Sequence, residues 1–453
     1  MADKVLSSNF LTLPPEVREH IYSIILRSAN NRYEPPLLEG WDYSDDPKAG
    51  PRYQFALNIL LVNRLIHQEA KKVFQDNIFV KITTPFPGAI AHVNGEGKVA
   101  YVVQDQQATD FQDFHLRILI DTPANVPWRL EHDETYSMVT CMEDIEAFTQ
   151  IWYFSNLNSS RHLNPHLTLR LDLKNPYTSG TTVPRSLQEK LLLPFGRVKD
   201  LDSVSFDFHG NPFFEDCAVY PSIRQRVLEE QAIPVPTPEE CLAACQEQKH
   251  KGQDLVARKD YEAALQEYTT AFSHIHITVS GRKRDVHCES YYSTELTSGR
   301  FKGQNGSHVR LLLRMQLVSA VMQALLLLEN FEEAYFWGQR SIRLLKYGMV
   351  SDEGIGGNGW EEWVMESSQM IFPGKADMAW VFYRAALAKR GIGKTQEDEE
   401  EIKALLLGAK VYGTGDEMLG TELAALQLRE YVKSDQDGKG EEPQKISRCD
   451  SNS

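Results

Sequence analysis

The sequence lacks a long apolar run, an apolar leader and a dense set of cysteines. Its longest apolar runs, such as Leu325–Leu328, are far shorter than the ~20 residues that a membrane-spanning helix needs. The opening residues, MADKVLSSNF, contain no apolar stretch typical of a secretory signal. Six cysteines in 453 residues are too sparse for a disulfide framework. We therefore expect no membrane span and reduced thiols, as in a cytoplasmic or nuclear protein.

Basic residues are in the minority. The chain has 48 lysines and arginines against 63 aspartates and glutamates, a formal net charge of -15. A nucleic-acid binder needs basic residues to neutralise phosphates, so nucleic acid is not an expected partner. Hydrophobic residues make up 42% and charged residues 25% of the chain, which is typical of globular proteins. At this length two or three domains are expected.

Two stretches with helical spacing of apolar residues lie within residues 10–80. The first reads FLTLPPEVREHIYSIIL and the second LNILLVNRLIHQEAKKVF. Between them, residues 30–52 are rich in proline, aspartate and tyrosine, which predicts a loop insertion. The segment is therefore predicted to be a small helical module that a loop interrupts.

Residues 81–232, together with the segment just before them, have four stretches typical of strands: NIFVKITT, FHLRILID, HLTLRLDL and LDSVSFDF. Met142–Asn156 and Arg185–Arg197 have helical patterns and separate the last three stretches. Strand–helix–strand order favours parallel pairing through right-handed crossovers. We expect a small α/β unit, with a leucine-rich-repeat-like arrangement as one alternative.

The remainder of the chain is predicted to be helical. Residues 233–238 alternate proline with other residues, which favours an extended linker. Thr237 then stands as an N-cap before a proline and two glutamates. Helical periodicity dominates residues 239–433, and residues 434–453 are too polar to fold. The predicted fold class is α+β and multidomain, with an all-α C-terminal part.

The stretch QKHKGQDLVARKDYEAALQEYTTAF resembles one tetratricopeptide repeat (TPR). A glycine stands where the first helix of such a repeat lets its partner approach, and alanines stand at the matching places of the second helix. The resemblance implies a TPR-like superhelix over residues 239–433. The residues that it assigns to packing are Gly252, Leu255, Tyr261, Ala264, Tyr268 and Ala271, with Ala334 in a second copy.

That second copy is Leu317–Leu345, in which Asn330–Ala334 corresponds to Lys259–Ala263. A third, more divergent copy begins at Ala376–Gly391. One repeat cannot bury its own apolar face, and about three stacked repeats are usually needed. Three copies with a terminal helix would suffice, and an unrelated helical bundle is the alternative.

TPR stacks form a groove that holds peptides or helices. In one subset this groove is similar to a clamp for the C-terminal carboxylates of heat-shock chaperones. Transferring that pattern places Lys249 and Arg384 at basic positions and Gln253 where asparagine is expected, whereas Ala320 and Trp380 depart from it. We expect Lys249, Gln253 and Arg384 to line a groove, and we do not expect chaperone-tail binding.

The stretches LPPEVREHIYSIIL and LLVNRLIHQEAKKVF resemble the F-box-like modules at the N-termini of fungal proteins. The resemblance also includes Arg18, Glu69 and Ala70. It implies docking on a Skp-type adaptor of an SCF-type cullin ubiquitin ligase. Two amphipathic helices that cap the α/β unit are the alternative. The residues that the resemblance assigns to docking are Leu13, Pro14, Glu16, Val17, Ile21 and Tyr22.

The string Ala388–Thr395 matches a relaxed phosphate-loop pattern that contains Lys394. A working phosphate loop follows a strand, whereas this string follows a helical pattern and precedes a run of acids. A turn between two helices is therefore the favoured interpretation. Cys241 and Cys245 are four residues apart but lack a second pair for a metal site. We expect no metal and no cofactor, and no catalytic motif is present.

The function hypothesis is a non-enzymatic adaptor that binds partner proteins through a TPR-like groove. Its N-terminal module would make it a substrate receptor of an SCF-type ligase. One alternative is a TPR scaffold or cochaperone without ubiquitin chemistry. A second alternative is a nucleotide-binding regulator that uses Lys394.

Overall fold

A computed structural model gives the fold of the chain. Contacts divide the chain into two compact units, one ending at Val235 and the other beginning at Pro236. This division lies inside the predicted linker 233–238, while the predicted disordered tail lies outside the described residues. The structure describes residues 10–35, 50–123, 134–177, 183–206, 219–349, 374–393 and 395–425.

The first unit begins with a small helical module. Helix α1 (Pro15–Leu26) starts with proline in its first turn, where no backbone N–H is needed, and α2 (Ser28–Asn31) follows it directly. Helix α3 (Arg64–Gln75) is capped by Asn63, whose side chain accepts a hydrogen bond from the backbone N–H of Ile66. Helices α1 and α3 pack together around buried apolar side chains. Two short strands, β1 (Arg32–Tyr33) and β2 (Arg52–Tyr53), pair where the predicted insertion starts and ends.

A six-stranded mixed sheet forms the centre of the first unit. Its strands are β3 (Phe79–Thr84), β4 (Val103–Gln104), β5 (Leu116–Asp121), β6 (Tyr136–Cys141), β7 (Thr168–Leu173) and β8 (Ser203–Ser205). They lie in the order β4-β6-β3-β5-β7-β8. The helices of this part are α4 (Ala89–Gly95), α5 (Asp105–Asp110), α6 (Ile145–Asn158), α7 (Arg185–Leu192) and α8 (Pro221–Ala232). The four predicted strand stretches all contain a strand, and the predicted module boundary at residue 80 falls inside β3.

The predicted parallel pairing is wrong for β5 and β7, which run antiparallel. Strands β3 and β5 are parallel, as are β7 and β8, whereas β6 is antiparallel to both β3 and β4. The reason is β6, a strand that the sequence patterns did not predict. It reverses the chain before α6 leads to β7, so β7 arrives with the opposite direction. A leucine-rich-repeat-like arrangement needs successive parallel strands, and this sheet does not provide them.

The sheet is buried on both faces. On one face, Ile82, Ile118 and Leu169 belong to a core with Phe148 of α6 and Val227 of α8. The opposite face has a smaller core made from strand, loop and helix residues: Tyr53, Phe79, Ala100, Ala108, Phe114, Val139 and Cys141. Because both faces are covered, several strands have almost continuous buried residues; in β3, every residue except the partly buried Thr83 is buried.

The second unit is a stack of helical hairpins. Its long helices are α9 (Pro238–Ala257), α10 (Tyr261–His274), α12 (Gly306–Leu327), α13 (Phe331–Met349), α14 (Lys375–Ile392) and α15 (Gln396–Tyr412), with a further helical stretch over residues 417–425. Helices α9 and α10, α12 and α13, and α14 and α15 form three hairpins, and the first helix of each hairpin packs against the first helix of the next. A C-terminal helical region is thus confirmed.

The prediction that this region is entirely α-helical is wrong for residues 277–286. Strands β9 (Ile277–Ser280) and β10 (Lys283–Val286) form an antiparallel hairpin, and the short helix α11 (Glu289–Tyr292) follows them. The turn contains Gly281 with φ of +53°, a left-handed conformation that glycine adopts without steric cost. In the sequence, this glycine directly after the alternating apolar and polar residues Ile277–Ser280 was the signal that could have predicted the hairpin.

Helix α12 is the one helix among the described residues that is long and apolar enough to cross a membrane. However, 67% of its most apolar window is buried inside the protein. It packs against α9, α10, α13 and α14, which accounts for its apolar composition.

Candidate partner-binding face

The first hairpin closes around a glycine. A Cβ atom added to Gly252 would lie 2.7 Å from Cδ1 and 2.9 Å from Cζ of Tyr268, and closer still to Cε1. Only glycine therefore allows α9 and α10 to approach this closely. Of the other residues assigned to packing, Ala264, Tyr268, Ala271 and Ala334 are buried, while Leu255 and Tyr261 are partly buried.

The turn of the second hairpin has the same backbone conformation and the same backbone hydrogen bonds as the turn of the first. Lys259 and Glu329 both have positive φ, at 65° and 57°. The backbone N–H of Asp260 donates to the carbonyl of Leu255, and that of Asn330 donates to the carbonyl of Leu325. Asp260 and Asn330 therefore correspond, so the predicted alignment of Asn330 with Lys259 is wrong by one residue. Ala334 then corresponds to Ala264, which explains why both are fully buried.

The first helices α9, α12 and α14 lie side by side, and polar side chains connect them on one side. We call this surface the first-helix face and define it by Lys249, Gln253, Gln316, Ser319, Gln323, Asp377, Trp380 and Arg384. Three of these residues, Lys249, Gln253 and Arg384, were predicted from the sequence. Gln316, Ser319 and Gln323 were missed, although their spacing of three and four residues in the apolar α12 was a detectable polar stripe.

Arg384 connects α14 to α12. Its Nη1 group donates to the carbonyl oxygen of Ser319 at 2.7 Å and also to the Ser319 hydroxyl, and Nη2 donates to Oε1 of Gln323 at 3.0 Å. All these acceptors are neutral. Burial lowers the pKa of Arg384 to about 10, so the guanidinium stays charged at neutral pH. Its charge has no bonded carboxylate among the residues that the structure describes, and its guanidinium lies 5.2 Å from the ring centre of Trp380.

Lys249 does not have the exposure expected of a groove cation, because only 7% of the residue is exposed. Its ammonium donates to Oε1 of Gln316, and Nε2 of Gln316 donates to Oδ2 of Asp377 at 3.4 Å. Burial lowers the pKa of Lys249 and raises the pKa of Asp377. Lys249 therefore belongs to a chain of contacts that joins three helices. Gln253, one helical turn further along α9, is exposed.

The face continues beyond the third hairpin. The indole N–H of Trp380 donates to Oδ2 of Asp416 at 3.0 Å, and the Tyr383 hydroxyl donates to Glu422 at 3.1 Å. Asp416 lies at the start of the helical stretch 417–425, and Glu422 lies within it. These two contacts attach that stretch to α14, in the place of the predicted terminal helix.

In the N-terminal module, an ion pair joins α1 to α3. The Arg18 guanidinium donates to both carboxylate oxygens of Glu69, at 3.0 and 2.6 Å, and to the carbonyl of Leu13 at 2.5 Å. The Tyr22 hydroxyl donates to the same carboxylate at 3.0 Å. Arg18, Tyr22 and Glu69 thus have an internal structural role. Tyr22 is fully buried, so its assignment to adaptor docking is wrong, because its ring fills the core between the two helices.

The remaining residues assigned to docking differ in exposure. Pro14, Glu16 and Val17 are exposed, while Leu13 and Ile21 are partly buried. The module also presents apolar side chains that the sequence analysis did not single out, and Leu61 is the most exposed at 84%. The exposed apolar set is Leu11, Val17, Ile24, Leu57, Leu61, Val62 and Leu65.

The phosphate-loop-like string lies between two helices, as expected. Helix α14 ends at Ile392, and Thr395 is the N-cap of α15; Lys394 lies outside the described residues. The Asp398 carboxylate accepts hydrogen bonds from the backbone N–H of Thr395 at 2.9 Å and from its hydroxyl at 2.6 Å. An ion pair with Lys389 holds the pKa of Asp398 well below its usual range. A negative group therefore already occupies the helix start that a phosphate would need.

Metal and disulfide chemistry find no support in the described part of the chain. Within it, no three histidine, cysteine, aspartate or glutamate side chains come together to hold a metal ion. Cys241 and Cys245 are buried free thiols, as are Cys141 and Cys288. Burial raises the pKa of Cys241 to about 11 and that of Cys245 to about 12, which makes both poor nucleophiles at neutral pH.

Comparisons with known proteins assign no relative to this chain. No protein-family model, no curated protein and no solved structure matches it.

Proposed function

We propose that the chain is a non-enzymatic adaptor whose hairpin stack is TPR-like and binds a partner protein across the first-helix face. The observation on which this proposal rests is the Arg384 guanidinium, which is charged and partly buried and which, among the described residues, bonds to neutral acceptors alone. A buried cation without a carboxylate is costly unless something compensates it. An acidic side chain of a bound partner would supply that compensation.

The interlock of Gly252 with Tyr268 supports the TPR-like interpretation, as does the turn that the first two hairpins share. The flanking Trp380 gives the face an aromatic surface beside the cation, a combination common at the energetic centres of interfaces. Lys249 is buried and its ammonium donates to Gln316, so it does not present a second charge to a partner. We therefore propose an acidic internal segment as the partner, rather than a chaperone carboxylate tail that needs several basic groups.

Gln323→Glu tests the role of Arg384 with little risk to the fold. Gln323 is exposed, and its side-chain oxygen already accepts from Arg384, so a carboxylate there would neutralise the cation in place. Partners purified with the tagged full-length chain would be quantified by mass spectrometry. We expect acidic partners to be depleted at least about tenfold, the loss of roughly one charge-assisted contact.

The matched control is Gln266→Glu, which adds the same charge at an exposed position on the second helix of the first hairpin. It should keep all partners. Equal recovery of partners by wild type and Gln323→Glu would refute the proposal for Arg384. Depletion by both variants would show that net charge, and not the face, decides binding.

We further propose that the N-terminal module is F-box-like and docks on a Skp-type adaptor. Its exposed apolar side chains support this, because exposed apolar residues that lie close together, as Leu61, Val62 and Leu65 do in the sequence, often belong to a protein interface. Leu61→Glu should abolish recovery of Skp-type and cullin subunits, whereas Leu228→Glu, at an exposed leucine of α8, should not. Failure of the wild-type chain to recover either subunit would leave an adaptor without ubiquitin chemistry.

A nucleotide-binding function through Lys394 is disfavoured by the Asp398 carboxylate at the start of α15. Calorimetry with ATP and GTP would test it, and binding that Lys394→Ala abolishes would overturn the adaptor proposal.

A further inference from the structure

A cavity of about 240 Å³ lies in the second unit, between the β9–β10 hairpin, α11 and the first turns of α12. It is away from the polar contacts that define the first-helix face. Ser307, Arg310, Leu311 and Arg314 line it from α12, at the spacing of one helical side. Glu289 is the one acidic residue that lines it.

The two arginines of this cavity are held differently. Arg310 is buried and donates to three backbone carbonyls, those of Ile275, His276 and His287, at 3.0, 3.4 and 2.5 Å. Those bonds fix its position, and no carboxylate in the described part of this unit bonds to its charge. Arg314 is partly buried and has no hydrogen-bond partner within the described part of the chain. Its guanidinium is therefore available to a ligand.

Two further arginines extend the positive charge behind Arg314. Arg340 donates through Nη2 to the carbonyl of Arg284 at 2.9 Å. Nε and Nη2 of Arg284 and Nε of Arg340 are buried and have no hydrogen-bond partner among the residues that the structure describes. Burial and the neighbouring Arg340 lower the pKa of Arg284 to about 9, and burial with Arg340 and Arg310 lowers that of Arg314 to about 10. Arg284 and Arg314 therefore remain charged at neutral pH.

The nearby carboxylates do not neutralise this cluster. Glu333 already forms an ion pair with Arg282 at 3.0 Å. Glu289 and Asp285 contribute attraction from a distance, without a hydrogen bond to any of the four arginines in the described chain. Within the described residues, this cluster therefore contains four guanidinium groups and two carboxylates that form no hydrogen bond with them. In a chain whose net charge is -15, this local excess of positive charge is unusual.

We infer that this cavity binds a small phosphate-bearing ligand, with Arg314 and Arg310 as the groups that hold its dianionic phosphoryl oxygens. Guanidinium groups match phosphate geometry through paired N–H donors. The Ser293 hydroxyl donates to the backbone carbonyl of Glu289 at 3.1 Å and lies 3.3 Å from the Ser307 hydroxyl, so Ser307 is the hydroxyl that can turn to donate to the same group. The N-terminus of α12, a helix of 22 residues, adds its own partial positive charge.

The size of the cavity and its apolar lining restrict the rest of the ligand. A volume of about 240 Å³ is below the range of drug-sized pockets and suits a phosphate ester of a few carbons. Ile277, Val286 and Leu311 provide the apolar surface for those carbons. This inference is independent of partner binding on the first-helix face.

The test measures the melting temperature and calorimetric binding of the full chain with sodium phosphate, glycerol 3-phosphate, sodium acetate and sodium chloride at matched ionic strength. We expect phosphate to raise the melting temperature and glycerol 3-phosphate to raise it at least as much, with acetate and chloride near zero. Arg314→Gln should weaken phosphate binding at least about tenfold. Arg343→Gln, at an exposed arginine of α13, should change it less than about twofold.

Without ligand, Arg314→Gln should melt at or above the wild-type temperature, because it removes repulsion from Arg310 and Arg340. A lower melting temperature would show that Arg314 has a structural partner and would overturn the inference. Equal shifts of the melting temperature with phosphate and with chloride would also overturn the inference, because they would show general charge screening and no specific binding in the cavity. If Arg314→Gln bound phosphate as tightly as the wild type, the assignment of the phosphate site to this cavity would also be refuted.

Discussion

Replacing Gly252 by alanine should destabilise the hairpin stack. A new Cβ would lie 2.7 and 2.9 Å from two ring atoms of Tyr268, well inside van der Waals contact. The Tyr268 ring is 1% exposed, so it cannot swing into solvent. Such overpacking costs about 1–3 kcal/mol. Alanine gains about 1 kcal/mol over glycine in a helix, so the free energy of unfolding should fall by the difference between the two effects, up to about 2 kcal/mol.

Gly420→Ala is the matched control, because a Cβ there meets no atom within 4 Å. It should leave stability unchanged or raise it, so the two substitutions are expected to act with opposite sign. Urea denaturation of the full chain, followed by far-ultraviolet circular dichroism, measures both. The double variant Gly252→Ala with Tyr268→Leu should recover part of the loss. If Gly252→Ala proves as stable as Gly420→Ala, the close approach of α9 and α10 is refuted.

Three further predictions concern capping, pH and thiols. Asp260→Ala and Asn330→Ala should each lower the free energy of unfolding by about 1 kcal/mol in urea titrations, because each side chain accepts a hydrogen bond from the backbone N–H three residues later. Very unequal losses would contradict the equivalence of the two turns. The arginine partner of Glu69 lowers the pKa of that carboxyl, so the stability it contributes is present above about pH 4.3 and is lost as pH falls through the folded-state pKa. Glu69→Gln should therefore lose stability at pH 7, and melting curves should show this difference shrinking on acidification. A thiol reagent at pH 8, mapped by mass spectrometry, should leave Cys241 and Cys245 unlabelled until denaturant is added; rapid labelling in the native protein would refute their burial.

Local patterns predicted most of the elements. The resemblance of residues 248–272 to one repeat predicted α9 and α10. The residues after Thr237 predicted Thr237 as an N-cap, and in the structure it forms a capping box with Glu240. Such features depend on residues within one or two turns, so the sequence pattern contains them. The same holds for Thr395, whose place between two helical patterns predicted a turn.

What sequence patterns missed depends on contacts between distant residues. Strand β6 has a mixed pattern because both of its faces are covered, and no alternation identified it. The burial of Lys249 follows from its contact with Gln316, which is 67 residues away. Tyr22 was assigned to docking because its neighbours matched a motif, whereas its hydroxyl pairs with Glu69, 47 residues away. A motif identifies residue types that a fold needs, but it does not separate those facing inward from those facing a partner.

The interleaved strand order of the sheet has a consequence for how each unit acquires its structure. Strand β3 pairs with β6, more than fifty residues later, and the sheet ends at β8 near residue 205. Every such pairing must close a long loop before it gains stability, which slows folding. The hairpins of the second unit pair neighbouring helices across turns of a few residues. During synthesis, the sheet of the first unit can therefore be completed only after nearly the whole unit has been made. Each hairpin of the second unit can form soon after it leaves the ribosome.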